Sequence, residues 1–255
     1  MNPVVIIPAR LESVRLPKKI LLDIHGIPMI EHVRRRVLLS KQVKDVFIAT
    51  CDKEIKDALH PYGAKVIMTS NKHENGTSRV AEASLKINCD SVILVQGDEP
   101  LLLPNQLDLM YQYIYNDRKS YAWNATSPIN NNKELVKRSF VKCLVNNSKI
   151  LKCFRHPNDF KNFNLNKYEI RKILGLIAFK KDFLINLNKM KKGNVEIKES
   201  IEQMRILENN HELVSVPFQE TQDSINEPSD IDVVLDKLKS DEQQNILLNK
   251  VINFK

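Results

Sequence analysis

Four cationic side chains stand close together near the start of the chain. The segment Pro8-Ala9-Arg10-Leu11-Glu12-Ser13-Val14-Arg15-Leu16-Pro17-Lys18-Lys19 sets Arg10, Arg15, Lys18 and Lys19 against a single acid, Glu12. A loop of that charge suits a polyanion such as a triphosphate. Guanidinium forks meet phosphate oxygens two at a time, and lysine supplies a point charge. No glycine precedes Gly26, so glycine-rich phosphate loops are ruled out in favour of capture by side chains. On composition alone the bland alternative is a solvated basic loop. A second group, Val95-Gln96-Gly97-Asp98-Glu99-Pro100, places a carboxylate after a glycine that permits close backbone approach. Asp98 there could hold Mg²⁺ on substrate phosphates, because magnesium takes one or two carboxylates and leaves its other positions to water and phosphate. Its alternative is a turn acid capping the next helix. A third group, His73-Glu74-Asn75-Gly76-Thr77-Ser78-Arg79, could hydrogen-bond a base or ribose. Here the alternative is a helix cap at Asn75 or Thr77.

Short apolar runs position all three groups. Residues 4–7, 45–50, 65–68 and 91–96 read as strands buried on both faces. Residues 29–39, 53–60, 77–86 and 107–115 read as helices between and after them, the first with Met29, Ile30, Val33, Val37 and Leu38 at helical spacing. That alternation predicts an α/β fold with a mostly parallel sheet flanked by helices, and ligands bind at the carboxyl ends of such strands. Residues 123–127 predict a fifth strand, and residues 140–145 and 150–154 a hairpin around Asn146-Asn147-Ser148-Lys149. Residues 155–167 read as a surface loop, 173–179 and 213–217 as strands, 196–207 and 228–238 as helices. The expected organisation is one α/β domain over residues 1–240, an insertion at roughly 130–195 and a polar tail from 241 to 255 with at most a short helix.

The chain has 255 residues, 42% hydrophobic and 27% charged, within the ordinary globular range. No run of about eighteen apolar residues occurs, so no membrane-spanning helix is expected. Met1-Asn2-Pro3 leads straight into an apolar run without a basic segment or cleavage site, so no signal peptide is read. The four cysteines are dispersed with no CxxC pair, which fits reduced thiols in a cytoplasmic protein. The formal charge of +8 is not accompanied by an aromatic-plus-basic motif, so nucleic acid is not expected as a partner.

The motifs PARxxSxRLPxK, G-x-P-M-I-x-H-V (residues 26–33), HxxGTxR and VQGDEP occur in that order. Together they resemble the CMP-sugar synthetases, most closely 3-deoxy-manno-octulosonate (KDO) cytidylyltransferases, and ExxExxEQxR at residues 196–205 resembles a family helix. The resemblance implies a nucleotide-diphospho-sugar transferase-like fold with an inserted β-rich dimerisation and sugar-binding region, a homodimer, and CTP and a sugar acid as substrates. It implies attack of the sugar's anomeric hydroxyl on the α-phosphorus of CTP with pyrophosphate leaving, for lipopolysaccharide or capsule precursors. Arg10, Ser13, Arg15 and Lys19 match its triphosphate positions. His73, Gly76, Thr77 and Arg79 match its loop near the base, and Gln96 and Asp98 its VQGDEP site, with Asp98 as Mg²⁺ ligand. Lys19, Arg10 and Asp98 are then the expected catalytic groups. The family's late motif resembles G-V-D-T-P-E-D-L. Here Ser224-Ile225-Asn226-Glu227-Pro228 puts Asn226 at the second metal position, where an amide oxygen coordinates without charge and a weaker metal affinity is expected unless Glu227 or Asp223 substitutes. Ile173 and Ile177 stand where a family strand carries His and Tyr, so another nonulosonic acid is the alternative substrate, and a catalytically weakened nucleotide-binding paralogue the alternative function.

Overall fold

The computed structural model describes residues 2–13, 15–156, 167–221 and 223–254. The chain divides into two compact units, Met1–Tyr111 with Gln222–Lys255, and Gln112–Thr221. The second unit is wider than the insertion read from the sequence at 130–195, and it takes in the strand expected at 123–127.

In the first unit β1 (Pro3–Pro8) is apolar and buried from its second residue onward. A two-residue hairpin follows, β2 (Asp23–Ile24) and β3 (Ile27–Pro28), whose central His25 and Gly26 have φ of 51° and 86°. Both angles are positive, as a turn matching the strands' right-handed twist requires. Then come α1 (Met29–Leu38), β4 (Val46–Thr50), α2 (Lys53–Leu59), β5 (Lys65–Met68), α3 (Gly76–Ser84), β6 (Ser91–Val95) and the beginning of α4 (Pro104–Asn116), a helix that runs on past Tyr111. All four long strands run parallel in the order β5-β4-β1-β6. Chain order therefore builds outward from β1 on one side through β4 and β5, then crosses to place β6 on the other. The reversal opens a crevice at the carboxyl ends of β1 and β6, where open parallel sheets bind ligands. Those ends are Pro8 and Val95, the starting points of the basic segment and the Gln96–Asp98 turn.

The second unit holds β7 (Ala122–Pro128), α5 (Asn132–Val136), β8 (Lys142–Asn146), β9 (Lys149–Phe154), β10 (Glu169–Lys180), α6 (Lys181–Leu187), α7 (Asn194–Glu199), α8 (Gln203–Glu208) and β11 (Leu213–Pro217). The hairpin predicted at 140–154 is β8–β9, turning on Asn147 and Ser148 with φ of 47° and 62°. Because β10 pairs with both β7 and β8, the strands close into a ring β10-β7-β11-β9-β8, which leaves no free edge among them. An irregularity in β10 between Ile173 and Ile177 accommodates the closure, and the Asn124 side-chain amide donates to Leu174 O there at 3.1 Å. The helix expected at 196–207 is two helices, α7 and α8, because Ser200 takes a left-handed φ of 52°. The Glu196 and Arg205 side chains tie the pair together, Arg205 Nε donating to Glu196 Oε2 at 2.8 Å, with both residues buried. Most of the loop expected at 155–167 lies outside the described residues.

The chain returns to the first unit with α9 (Ser229–Ser240) and α10 (Glu242–Ile252). The polar tail expected from 241 is thus a full helix. Gln244, Leu247, Leu248 and Val251 recur at helical spacing and are buried. Each buried aliphatic side chain contributes roughly 1.5–3 kcal/mol. α10 packs on α9 and α1, and the α1 side chains Glu31, His32, Arg34, Arg35 and Arg36 are all buried. Arg35 closes the arrangement by donating to Val251 O at 2.7 Å, a cation at the negative end of α10.

Candidate active site

The basic segment leaves β1 at Pro8 and is pinned at two places. Leu11 N–H donates to Asp52 Oδ2 at 2.8 Å, and Lys18 N–H donates to Leu11 O at 3.1 Å, with Lys18 at a left-handed φ of 55°. Its four cations then separate. Lys18 turns to the surface and pairs with Glu54 of α2 at 2.7 Å. Lys19 points inward, its Nζ 2.5 Å from Asp98 Oδ2 and 3.1 Å from Ile225 O. Arg10 and Arg15 are exposed, and no carboxylate pairs with either among the described residues. Ser13 is half-buried on the same loop.

Three chain segments converge on that inward lysine. A Cβ built on Gly97 would stand 2.7 Å from Ile20 Cδ1 and 3.5 Å from Pro8 O, so the turn after β6 is pressed against the basic segment. A Cβ on Gly76 would stand 3.1 Å from Pro8 Cγ and 3.9 Å from Gln96 Nε2, which brings the N-terminus of α3 to the same place. From the returning chain, Ile225 N–H donates to Asp98 O at 3.0 Å. Asp98 is therefore held through its carboxylate by Lys19 and through its backbone by Ile225. With side chains 21% and 15% exposed, Asp98 and Lys19 form a pair that an incoming ligand can still reach.

The 73–79 loop divides its residues between building and binding. Asn75 caps α3, its Oδ1 accepting from Ser78 N–H at 2.9 Å. His73, expected near a base, has both ring nitrogens engaged within the loop, Nδ1 with Ser78 Oγ at 3.1 Å and Nε2 with Glu82 Oε2 at 2.5 Å. Desolvation acts to raise the Glu82 pKa, but the bonds from His73 and from Ser70 N–H outweigh it and hold the carboxyl below its ordinary range. Arg79 is buried and donates to Thr69 Oγ1 at 2.7 Å and to Ser70 O at 3.2 Å. His73 thus shapes the loop through both ring nitrogens, and Arg79 does so through Nη1. Gly76, where the backbone comes closest to Pro8, and half-buried Thr77 are the positions beside the crevice.

The late segment is similarly ordered. Asn226 Nδ2 donates to Ser224 Oγ at 2.7 Å, and Asp230 Oδ2 accepts from the backbone N–H of Asn226 and Glu227 at 2.8 and 2.9 Å. Asp223, a candidate to replace the missing aspartate, pairs instead with Lys237 at 2.6 Å. Among the described residues no cluster of three or more His, Cys, Asp or Glu could hold a metal. One carboxylate at Asp98 with an amide at Asn226 fits a hard cation that brings its other oxygen ligands on a phosphate, and does not fit a cation caged by protein alone. Sequence reasoning missed Ile225, which acts through backbone atoms common to every residue type. It also missed Asp52 and Glu82, lone acids outside any recognisable motif.

A parallel sheet with a reversal between β1 and β6, a cationic segment at one strand end and a carboxylate at the other define a nucleotidyltransferase-type site. The chain matches the family described as Cytidylyltransferase over residues 4–214 and belongs to that family. It is similar to the 3-deoxy-manno-octulosonate cytidylyltransferase of Chlorobium limicola, 35% identical over 237 residues covering 92% of this chain and 96% of the relative. Similarity to the enzyme of that name from Escherichia coli is 37% over 205 residues, 80% of this chain and 82% of the relative. A solved structure of CMP:2-keto-3-deoxy-manno-octonic acid synthetase complexed with CTP superposes with a TM-score of 0.87 at 33% identity, covering 93% of this chain and 98% of that one. The mixed α/β fold expected from the sequence is the one this neighbour has.

Proposed function

We propose that this chain transfers CMP from CTP to the anomeric hydroxyl of 3-deoxy-manno-octulosonate, releasing pyrophosphate. The observation that carries the reading is the Lys19–Asp98 pair at 2.5 Å, standing where the β1 and β6 ends open, with the exposed Arg10 and Arg15 on the same segment as Lys19. Arg10 and Arg15 have guanidinium forks available for phosphate oxygens, and Ser13 and Gln96 add hydrogen bonds from the two sides of the crevice. Lys19 would spread its charge between Asp98 and the phosphates as negative charge shifts toward the leaving pyrophosphate. No side chain need form a covalent intermediate, so positioning and charge account for the rate. Mg²⁺, held by Asp98 and more weakly by Asn226, would supply Lewis-acid neutralisation of the phosphates when bound.

The same reading makes the protein a cytoplasmic homodimer supplying lipopolysaccharide or capsule synthesis. Reduced thiols at Cys51, Cys89, Cys143 and Cys153 support the compartment, and none of the described helices is long and apolar enough to cross a membrane. A second reading, transfer to a different nonulosonic acid, is favoured by Ile173 and Ile177 on β10, which offer a sugar hydroxyl no side-chain hydrogen bond. Pyrophosphate release with CTP, Mg²⁺ and a panel of sugar acids tests both. The octulosonate should be turned over fastest. A faster nonulosonic acid would replace it, and silence across the panel would overturn the activity.

A further inference from the structure

Arg36 is fully buried in α1, and among the described residues no carboxylate pairs with it. Its Nη1 donates to Leu102 O at 3.1 Å and to Gln244 Oε1 at 2.8 Å, while Nε and Nη2 find no acceptor among the described residues. Burial lowers its pKa from 12.5 only to about 10, so the guanidinium remains charged at neutral pH. An unpaired buried cation with unsatisfied donors is costly, and packing alone would be served as well by methionine. Its contacts suggest what the cost is for. Gln244 of α10 accepts from Arg36 and donates through Nε2 to Leu101 O at 2.9 Å. Leu101 and Leu102 follow the Asp98 turn directly, and Leu102 N–H donates back to Glu99 O at 3.1 Å. The turn is thus gripped at its tip by Lys19 and Ile225, and along its outgoing leg by Arg36 and Gln244.

We propose that Arg36 and Gln244 are positioning residues that hold the Asp98 turn in register with Lys19, acting through the backbone carbonyls of Leu101 and Leu102. The proposal rests on the reading of Asp98 as the phosphate- and metal-facing group. Neither side chain touches substrate. Both orient the backbone leg that leaves the Asp98 turn.

Hydrogen exchange on Arg36→Met and Gln244→Met, read amide by amide, is the test. Losing one such bond is equivalent to about tenfold in an equilibrium. Exchange should therefore quicken about tenfold at Leu102 N–H and at Ile225 N–H, which reports on Asp98 O, and stay unchanged in β1 and β4. Calorimetric binding of CTP with Mg²⁺ should weaken about tenfold in step, and Arg36→Lys, which retains a cationic donor group, should recover part of both. Uniform quickening through β1 and β4 would mean a merely structural role and overturn the proposal, as would unchanged exchange at the two reporters or unchanged nucleotide binding. If Arg36→Met does not fold, Gln244→Met carries the same outcomes. If the unaltered protein neither binds CTP nor releases pyrophosphate, the functional reading fails, and the exchange measurement still decides this one.

Discussion

At the scale of single residues the site depends on which charges are neutralised inside the protein and which are left for a ligand. Asp98→Asn keeps the shape and a hydrogen bond to Lys19 while removing the charge. Turnover should fall by about 10²–10³-fold with the melting temperature unchanged, measured by pyrophosphate release and thermal denaturation. Near-normal turnover in that variant would place the metal and phosphate function elsewhere. Arg15 is exposed and has no carboxylate partner among the described residues, so Arg15→Ala should raise KM for CTP with little effect on stability. Asn226→Asp should lower the Mg²⁺ concentration needed for half-maximal turnover, and an unchanged requirement would show that Asn226 is not a ligand. Much of this was legible because the chemistry is in side chains: Arg10, Arg15, Lys19 and Asp98 declare themselves by type and spacing. A sequence shows donors and acceptors but not which of them are already satisfied. Glu82 engages His73 Nε2 and Thr69 engages Arg79 Nη1 inside the protein.

At the scale of elements, local signals fixed the strands well and the helix breaks poorly. β1, β4, β5 and β6 are continuous apolar runs, and each was found within about a residue or two of its bounds. Asn75→Ala tests a cap read only as an alternative. It should cost about 1 kcal/mol in denaturant unfolding and loosen the 73–78 turn, because Ser78 N–H loses its acceptor. The split between α7 and α8 escaped notice because the left-handed residue is Ser200, where glycine would have announced the break. α10 escaped because one of its inward positions is Gln244, polar by type but buried, with Gln243 and Asn245 on either side of it.

At the scale of the whole molecule, α1 imposes a pH dependence that no exposed group would. His32 is buried against Ile24 O, which accepts from Nε2 at 2.5 Å, and its Nδ1 has no partner among the described residues. Desolvation is the main cause of its pKa falling from 6.5 to about 4, with the Ile24 bond opposing and nearby Arg36 and Arg35 assisting. The folded state keeps the imidazole neutral, whereas the unfolded chain takes up a proton below 6.5. The contribution to stability is therefore intact above pH 6.5 and drains away as pH falls toward 4, by about 2 kcal/mol at pH 5. Urea midpoints between pH 7 and 4 check the slope, and His32→Phe should flatten it. An equal slope in that variant would assign the acid sensitivity to other groups.

The first unit is assembled from two stretches of chain with the whole of the second unit translated between them. Ile225, which secures Asp98, and Gln244, which braces the leg behind it, are made only after β1 to β6 have already left the ribosome. A nascent chain with β1 to β6 in place would carry every cation that sequence inspection finds, yet lack the clasp that aligns them. Competence therefore arrives late and all at once, and premature termination near residue 221 should yield inert protein in place of partly active protein.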